Sequence, residues 1–108
     1  MIGTEKQIKW AEDIINEAIR MLNIYIDIQK QNPGNNPEDY VKEEIDQAKE
    51  FISKLKSIDD AAYIIRERSD LPDYRNNGSF EQFKVMYANS AVCAVSEFLD
   101  IAEELGKV

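Results

Sequence analysis

The chain has no histidine, and its 108 residues include only one cysteine, three prolines and four glycines. Without histidine it cannot form a Ser-His-Asp or Cys-His nucleophile, and it lacks the Glu-x-x-His motif of di-iron bundles. A single cysteine excludes an internal disulfide. No glycine-rich phosphate loop or zinc-ligand spacing is present. These absences argue against catalysis, and we expect neither an enzyme nor a bound cofactor.

The sequence also lacks a continuous apolar run near the roughly 20 residues that cross a bilayer, and its first residues lack the apolar core of a signal peptide. Apolar residues make up 44% of the chain, which is ordinary for a globular protein. We therefore expect one folded domain, residues 1–108, located in the cytoplasm and not in a membrane. The lone Cys93 lies in an apolar stretch and is predicted to be a small buried residue.

Acidic residues outnumber basic ones by 21 to 13, so the net charge is −8 and the pI is about 4.5. Such a surface repels phosphate backbones and anionic membranes. Direct non-specific binding to nucleic acid is therefore not expected. If the protein has a partner, we expect a protein with a basic surface.

The apolar residues recur with the three-four spacing of helices. Thr4 and Gln7 have the spacing of a capping box, which predicts a first helix from there to about Gln31. Its apolar surface is wide enough for several neighbours. The main stripe comprises Ile8, Ala11, Ile15, Ala18, Leu22 and Tyr25, with Ile14, Met21 and Ile28 beside it.

A second helix is predicted after Asn36, which can cap it, with Pro37 at the first helical position. Its core stripe comprises Val41, Ile45, Ala48, Ile52 and Leu55, widened by Phe51 and Ile58. Ser57 and Asp60 indicate a new helix cap and a change of chain direction. A single continuous helix through these residues is the alternative. A short helix then runs to about Arg68.

The last helix is predicted to begin at Ser79, with Gln82 again at capping-box spacing, and Gly106 is expected to follow its end. Its predicted stripe comprises Phe80, Phe83, Tyr87, Ala91, Ala94, Phe98, Ile101 and Leu105. The fold class is thus all-α, an antiparallel bundle of three long helices and one short helix. The stripes also leave room for a homodimer.

Residues 4–14, TEKQIKWAEDI, resemble the opening of a group of small, mostly uncharacterised proteins encoded by phages and mobile elements of Firmicutes. Residues 60–68 are similar to a later helix of that group, except that Ile64 stands where an aromatic residue is common. The two segments cover about a fifth of the chain. The resemblance implies a phage or mobile-element origin and a role against host defence, as for anti-CRISPR proteins.

The first candidate site is the acidic side of the second helix, formed by Asp39, Glu43, Asp46 and Glu50. Carboxylates on successive turns rise by about 5.4 Å, close to the phosphate spacing of a nucleic-acid strand. Residues 38–60 contain eight acidic residues and four lysines. This side could occupy a basic groove, or it could be a solvated face with pairs between neighbouring charges.

The second candidate is the arginine-tyrosine segment, which contains three of the four arginines. Arginine offers a planar fork for phosphate or carboxylate, and tyrosine a stacking surface. Alternatively, the two earlier arginines pair with neighbouring acids such as Glu67. The candidate residues are Arg66, Arg68, Tyr74, Arg75 and Asn77, accompanied by Tyr63 and Asn76.

A third set, Glu97 and Asp100 with Glu43 and Glu44, partly matches the Mg²⁺ motifs of MazG-type nucleotide hydrolases, but position 47 is glutamine instead of glutamate. We expect Trp10 to lie at the edge of the core; the alternative, in which it forms a platform for a ligand, is less favoured.

The leading hypothesis is an inhibitor that binds a host nucleic-acid-handling or defence complex without turnover. The alternatives are a nucleotide-handling bundle, either a Mg²⁺-dependent hydrolase or a protein that sequesters a nucleotide signal, and a structural accessory protein.

Overall fold

The computed structural model describes residues 1–31, 34, 36–72 and 84–108, and these residues are mostly helical. They form α1 (Glu5–Gln31), α2 (Glu38–Ser57), the short α3 (Ala61–Arg66) and α4 (Lys84–Glu104), with a 3-10 turn at Arg68–Asp70. No strand occurs in this part of the chain, although the backbone of Ile2 forms one isolated bridge with Asp60. The all-α prediction, with three long helices and one short one, is confirmed.

The start of α1 has the predicted capping box. The Gln7 backbone N–H donates to the Thr4 hydroxyl at 3.2 Å, and the Thr4 N–H donates to the Gln7 side-chain oxygen at 3.0 Å. These bonds satisfy N–H groups that have no partner within the helix. The helix ends at Gln31, as predicted.

The turn from α2 into α3 also follows local rules. The Asp60 carboxylate accepts a hydrogen bond from the Tyr63 backbone N–H at 3.2 Å and so caps α3. Ser57 is not a cap, because its hydroxyl donates back to the Lys54 carbonyl within α2. At the start of α2, Pro37 takes the cap position one residue after the predicted Asn36.

The end of α4 is closed by the predicted glycine. Gly106 adopts a φ of 70°, in the left-handed region where glycine carries no side-chain penalty. Its N–H donates to the Glu103 carbonyl, and the Lys107 N–H donates to the Ala102 carbonyl at 2.8 Å, which is the Schellman pattern. The predicted start of this helix at Ser79 lies outside the described residues.

Helix α1 is central to the packing, since it contacts α2, α3 and α4. The larger cluster of buried residues joins α1 to α3 and to the C-terminal halves of α2 and α4. A smaller cluster contains Tyr25, Ile26, Ala48 and Ala88. Ile52 and Val92 pack against both clusters, so the two are continuous. The predicted stripe of α1 is buried except at Ile8, whereas the predicted stripe of α2 is buried only at Ala48 and Leu55 and half-buried at its other three positions, Val41, Ile45 and Ile52.

The inward face of α4 differs from the prediction. It comprises Ala88, Ala91, Val95, Phe98, Leu99 and Ala102. Ile101 and Leu105, which the predicted stripe placed inside, are 47% and 57% exposed. Cys93 is also exposed, so its predicted burial is wrong. Because each helical residue turns by about 100°, Cys93 lies on the side opposite Ala91 and Val95.

Helix α4 is long and apolar enough, with a mean hydropathy of 1.2 over its best window, to cross a membrane by length and composition alone. A helix packed in a protein core can have the same length and composition, and a third of the most apolar part of α4 is buried against the rest of the protein. The predicted location of the chain outside a membrane therefore stays a prediction.

Candidate functional site

The acidic side of α2 is fully presented to solvent. Asp39, Glu43, Asp46 and Glu50 are all exposed. Glu50 lies 3.5 Å from the ammonium of Lys54, which is also 2.5 Å from Glu103 on α4. The hydrogen bond that the Lys54 ammonium donates to the Glu103 carboxylate is the main reason why the pKa of Lys54 is raised.

The other three carboxylates, on Asp39, Glu43 and Asp46, form no ion pair with any residue in the described part of the chain. The alternative interpretation of a face neutralised by neighbouring lysines therefore holds only at Glu50. Glu43, Asp46 and Glu50 also line a shallow depression together with Glu44 and Gln47. We call Asp39, Glu43, Asp46 and Glu50 the acidic face.

A groove between α2 and α4 adjoins this face. Its lining comes from both helices and mixes apolar with polar groups: Gln47, Phe51, Val92, Cys93, Ser96 and Glu97. Further along α2, the Tyr25 hydroxyl donates to the Glu44 carboxylate at 2.7 Å. Burial, followed by this bond to a carboxylate, raises the pKa of Tyr25 above its ordinary value. Glu44 is thereby tied to α1, unlike the exposed acids of the acidic face.

The arginine-tyrosine segment is described only up to Pro72, so Tyr74, Arg75, Asn76 and Asn77 lie outside the described residues. Arg66 donates from Nε to Glu67 at 3.0 Å, and its guanidinium lies 5.5 Å from the centre of the Tyr63 ring. Tyr63 itself is buried. Arg66 therefore has the local pairing that the alternative interpretation proposed.

Arg68 behaves differently. It donates from Nη1 to the Ile65 carbonyl at 2.6 Å, and its guanidinium lies 4.9 Å from the centre of the Trp10 ring. Trp10 is 46% exposed, so it is more open to solvent than the expected position at the edge of the core. Both side chains line a cavity of about 490 Å³ between α1 and the 3-10 turn. No spacing in the sequence indicates this contact, because the two residues are far apart in the chain.

The third candidate set does not form a metal site in the described residues. Glu97 and Asp100 are exposed on α4, and Glu44 is held by Tyr25. No three acidic or cysteine side chains of the described segments come together to hold a cation. A hard divalent ion needs several oxygen ligands at one point. The partial match to a Mg²⁺ hydrolase motif is therefore not supported by this part of the structure.

No family model matches the chain, and searches of curated proteins and of solved structures also give no match.

Proposed function

We propose that this protein acts by binding, without turnover, and that its acidic face contacts a basic surface on a partner protein. The observation that carries the proposal is the set of exposed carboxylates on Asp39, Glu43 and Asp46, which form no ion pair with described residues. A carboxylate that is not already neutralised retains its full attraction for a partner's cations.

The partner that fits best is a host complex that handles nucleic acid. The acidic face repeats negative charge on successive turns, and a basic groove built for phosphates would accept it. The net charge of −8 favours association with such a groove and opposes direct binding to nucleic acid or anionic membranes. The resemblance to phage and mobile-element proteins supports a role as an inhibitor of host defence, of the anti-CRISPR kind, in the host cytoplasm.

We also infer that the three long helices form an antiparallel bundle. Tyr25 near the end of α1 shares a cluster with Ala48 of α2 and Ala88 near the start of α4. At the other end, Lys54 of α2 contacts Glu103 of α4. These contacts support an arrangement in which α2 and α4 run parallel to each other and antiparallel to α1. The acidic face and the groove between α2 and α4 then lie on adjacent surfaces.

Charge reversal tests the role of the acidic face. The variant Glu43→Lys/Asp46→Lys/Glu50→Lys is compared with Glu12→Lys/Asp13→Lys/Asp27→Lys, which changes three exposed acids of α1. Both variants change the net charge equally, although the α2 variant also removes the exposed Glu50–Lys54 ion pair. We expect the α1 variant and the unmodified protein to capture the same basic proteins from a bacterial host lysate, and the α2 variant to lose them.

Competition sharpens the test. If the acidic face occupies a phosphate-binding groove, double-stranded DNA should compete for that groove and release the partner from the captured complex. The same complex should stay intact at the same ionic strength when no DNA is added. Equal capture by both charge-reversal variants would contradict the proposal. So would a set of captured proteins that lacks basic or nucleic-acid-binding members.

An assembly made of this chain alone is the remaining structural alternative. The exposed Val85, Met86 and Ile101 on α4 would be its contact residues. Light scattering on the purified protein distinguishes the two cases, because a defined oligomer without an added partner would favour the structural role.

A further inference from the structure

The cavity beside Trp10 combines an aromatic side chain with a cation. Trp10 and Ile14 come from α1, while Arg68, Leu71 and Pro72 come from the 3-10 turn and the residues after it. Its volume of about 490 Å³ lies in the range of small-molecule sites. Apolar walls with a few polar groups are typical of such sites.

The charge at this cavity is unusual for so acidic a protein. Glu17 also lines the cavity, but its two oxygens accept hydrogen bonds from Arg20 at 2.7 and 3.2 Å. Arg68 makes no ion pair with a carboxylate in the described segments, and it uses one Nη1 donor on the Ile65 carbonyl. Most of its five N–H donors therefore stay available to an anion.

Trp10 and Arg68 together select the shape of that anion. The guanidinium carbon lies over the indole ring, 4.9 Å from its centre, so the cation and the aromatic surface are adjacent at cation–π distance. A planar ring can stack on this pair, while a phosphate on the same molecule takes the guanidinium fork. The hydroxyl of Ser69 adds a further polar group at the wall.

We propose that the Trp10–Arg68 cavity binds a small planar organic anion, of the class of a nucleoside monophosphate. The site is on α1 and the 3-10 turn, and it shares no residue with the acidic face of α2. Its success or failure is therefore independent of the proposed partner binding.

Calorimetric titration of the whole protein tests the ligand class with three probes. AMP carries both the ring and the phosphate, adenosine lacks the phosphate, and ribose 5-phosphate lacks the base. We expect saturable binding of AMP, with adenosine and ribose 5-phosphate each at least about tenfold weaker. Trp10 is the only tryptophan, so a change in its fluorescence on adding AMP reports on the cavity itself.

Two arginine variants locate the site. Arg68→Gln should weaken AMP binding by at least about tenfold, since a charge-assisted contact is lost. Arg66→Gln is the matched control, because Arg66 is an exposed arginine two positions away that pairs with Glu67. Circular dichroism confirms that both variants fold. The proposal is overturned if AMP shows no saturable binding at about 1 mM, or if both variants bind it equally well.

Discussion

The two ends of the long helices differ in how many contacts the described residues make across them. At the end that contains α3, which we call the latched end, the Ile2 N–H donates to the Asp59 carbonyl at 2.6 Å and the Ala61 N–H donates to the Ile2 carbonyl at 3.0 Å. The Asp60 carboxylate there also accepts from the Lys107 ammonium at 2.9 Å. Polar contacts between segments distant in sequence thus add to the larger apolar cluster.

At the opposite end, which we call the open end, the described residues rely on the small cluster around Tyr25, Ile26, Ala48 and Ala88. The Tyr25–Glu44 hydrogen bond is the polar contact between α1 and α2 there. Among the described residues, this end has the smaller buried cluster, and a smaller cluster of buried residues lowers the free-energy cost of local opening.

The largest expected effect comes from the core of the latched end. Phe98 is 1% exposed, and its ring centre lies 5.9 Å from that of Tyr63. Phe98→Ala should lower the free energy of unfolding by about 3–5 kcal/mol, because it removes buried apolar surface and leaves a cavity. Ile26→Ala at the open end should cost less, about 2–3 kcal/mol. Urea denaturation of both variants measures the two losses, and a loss below about 2 kcal/mol in Phe98→Ala would contradict its place in the core of the latched end.

A glycine variant tests the backbone contacts of the latched end. Gly3 has a φ of 148°, and a Cβ there would lie 3.0 Å from the Ala61 Cβ and 3.2 Å from the Gln7 side-chain oxygen. Gly3→Ala should therefore cost about 2 kcal/mol through strain and the displaced bridge. Gly106→Ala, where the Cβ would meet open space, should cost only about 1 kcal/mol of backbone strain. Equal losses on thermal unfolding would show that the close approach at Gly3 does not matter.

Local signals in the sequence predicted three of the helix ends. The Thr4–Gln7 capping box, the Asp60 cap and the Gly106 ending each depend on residues within a few positions of one another. The side of α4 that packs against the core was harder to predict, because apolar residues occur on several sides of this helix. Contacts with α1 select one side, so Ile101 and Cys93 remain outside. Such a choice depends on neighbours that periodicity alone does not specify.

The candidate sites divide in the same way. The exposure of Glu43 and Asp46 follows from helical periodicity, so the acidic face was predictable. The Trp10–Arg68 pair was not, because it depends on how the 3-10 turn lies against α1. The sequence shows that Arg68 is present. It does not show that Glu17, which lines the same cavity, is already hydrogen-bonded to Arg20.

Two tyrosines give a smaller contrast between the ends. The buried Tyr63 hydroxyl at the latched end has no hydrogen-bond partner among the described residues, whereas Tyr25 donates to Glu44. Tyr63→Phe should raise the free energy of unfolding by about 1 kcal/mol, because a buried unpaired hydroxyl is removed. Tyr25→Phe should lower it by about 1 kcal/mol. Denaturation of both variants under identical conditions is the measurement, and a loss of stability in Tyr63→Phe would indicate a partner for that hydroxyl.

The smallest effect concerns acid pH at the latched end. The hydrogen bond from Lys107, followed by that from the Tyr63 backbone, lowers the pKa of Asp60. The pKa of an aspartate in an unfolded chain is about 3.9. The ionised Asp60 carboxylate therefore stabilises the folded state fully above that pH, and this stabilisation is lost as the pH falls through the lower pKa of the folded state. Asp60→Asn keeps a side-chain oxygen for the α3 cap but loses the charge. Because the Asp60–Lys107 ion pair is partly exposed, the variant should lower the free energy of unfolding at neutral pH by only about 0.5 kcal/mol. The difference between the variant and the native chain should shrink below about pH 4. An Asp60→Asn difference that persists unchanged at pH 2.5 to 3, about one unit below the unfolded value, would assign the effect to packing instead of charge.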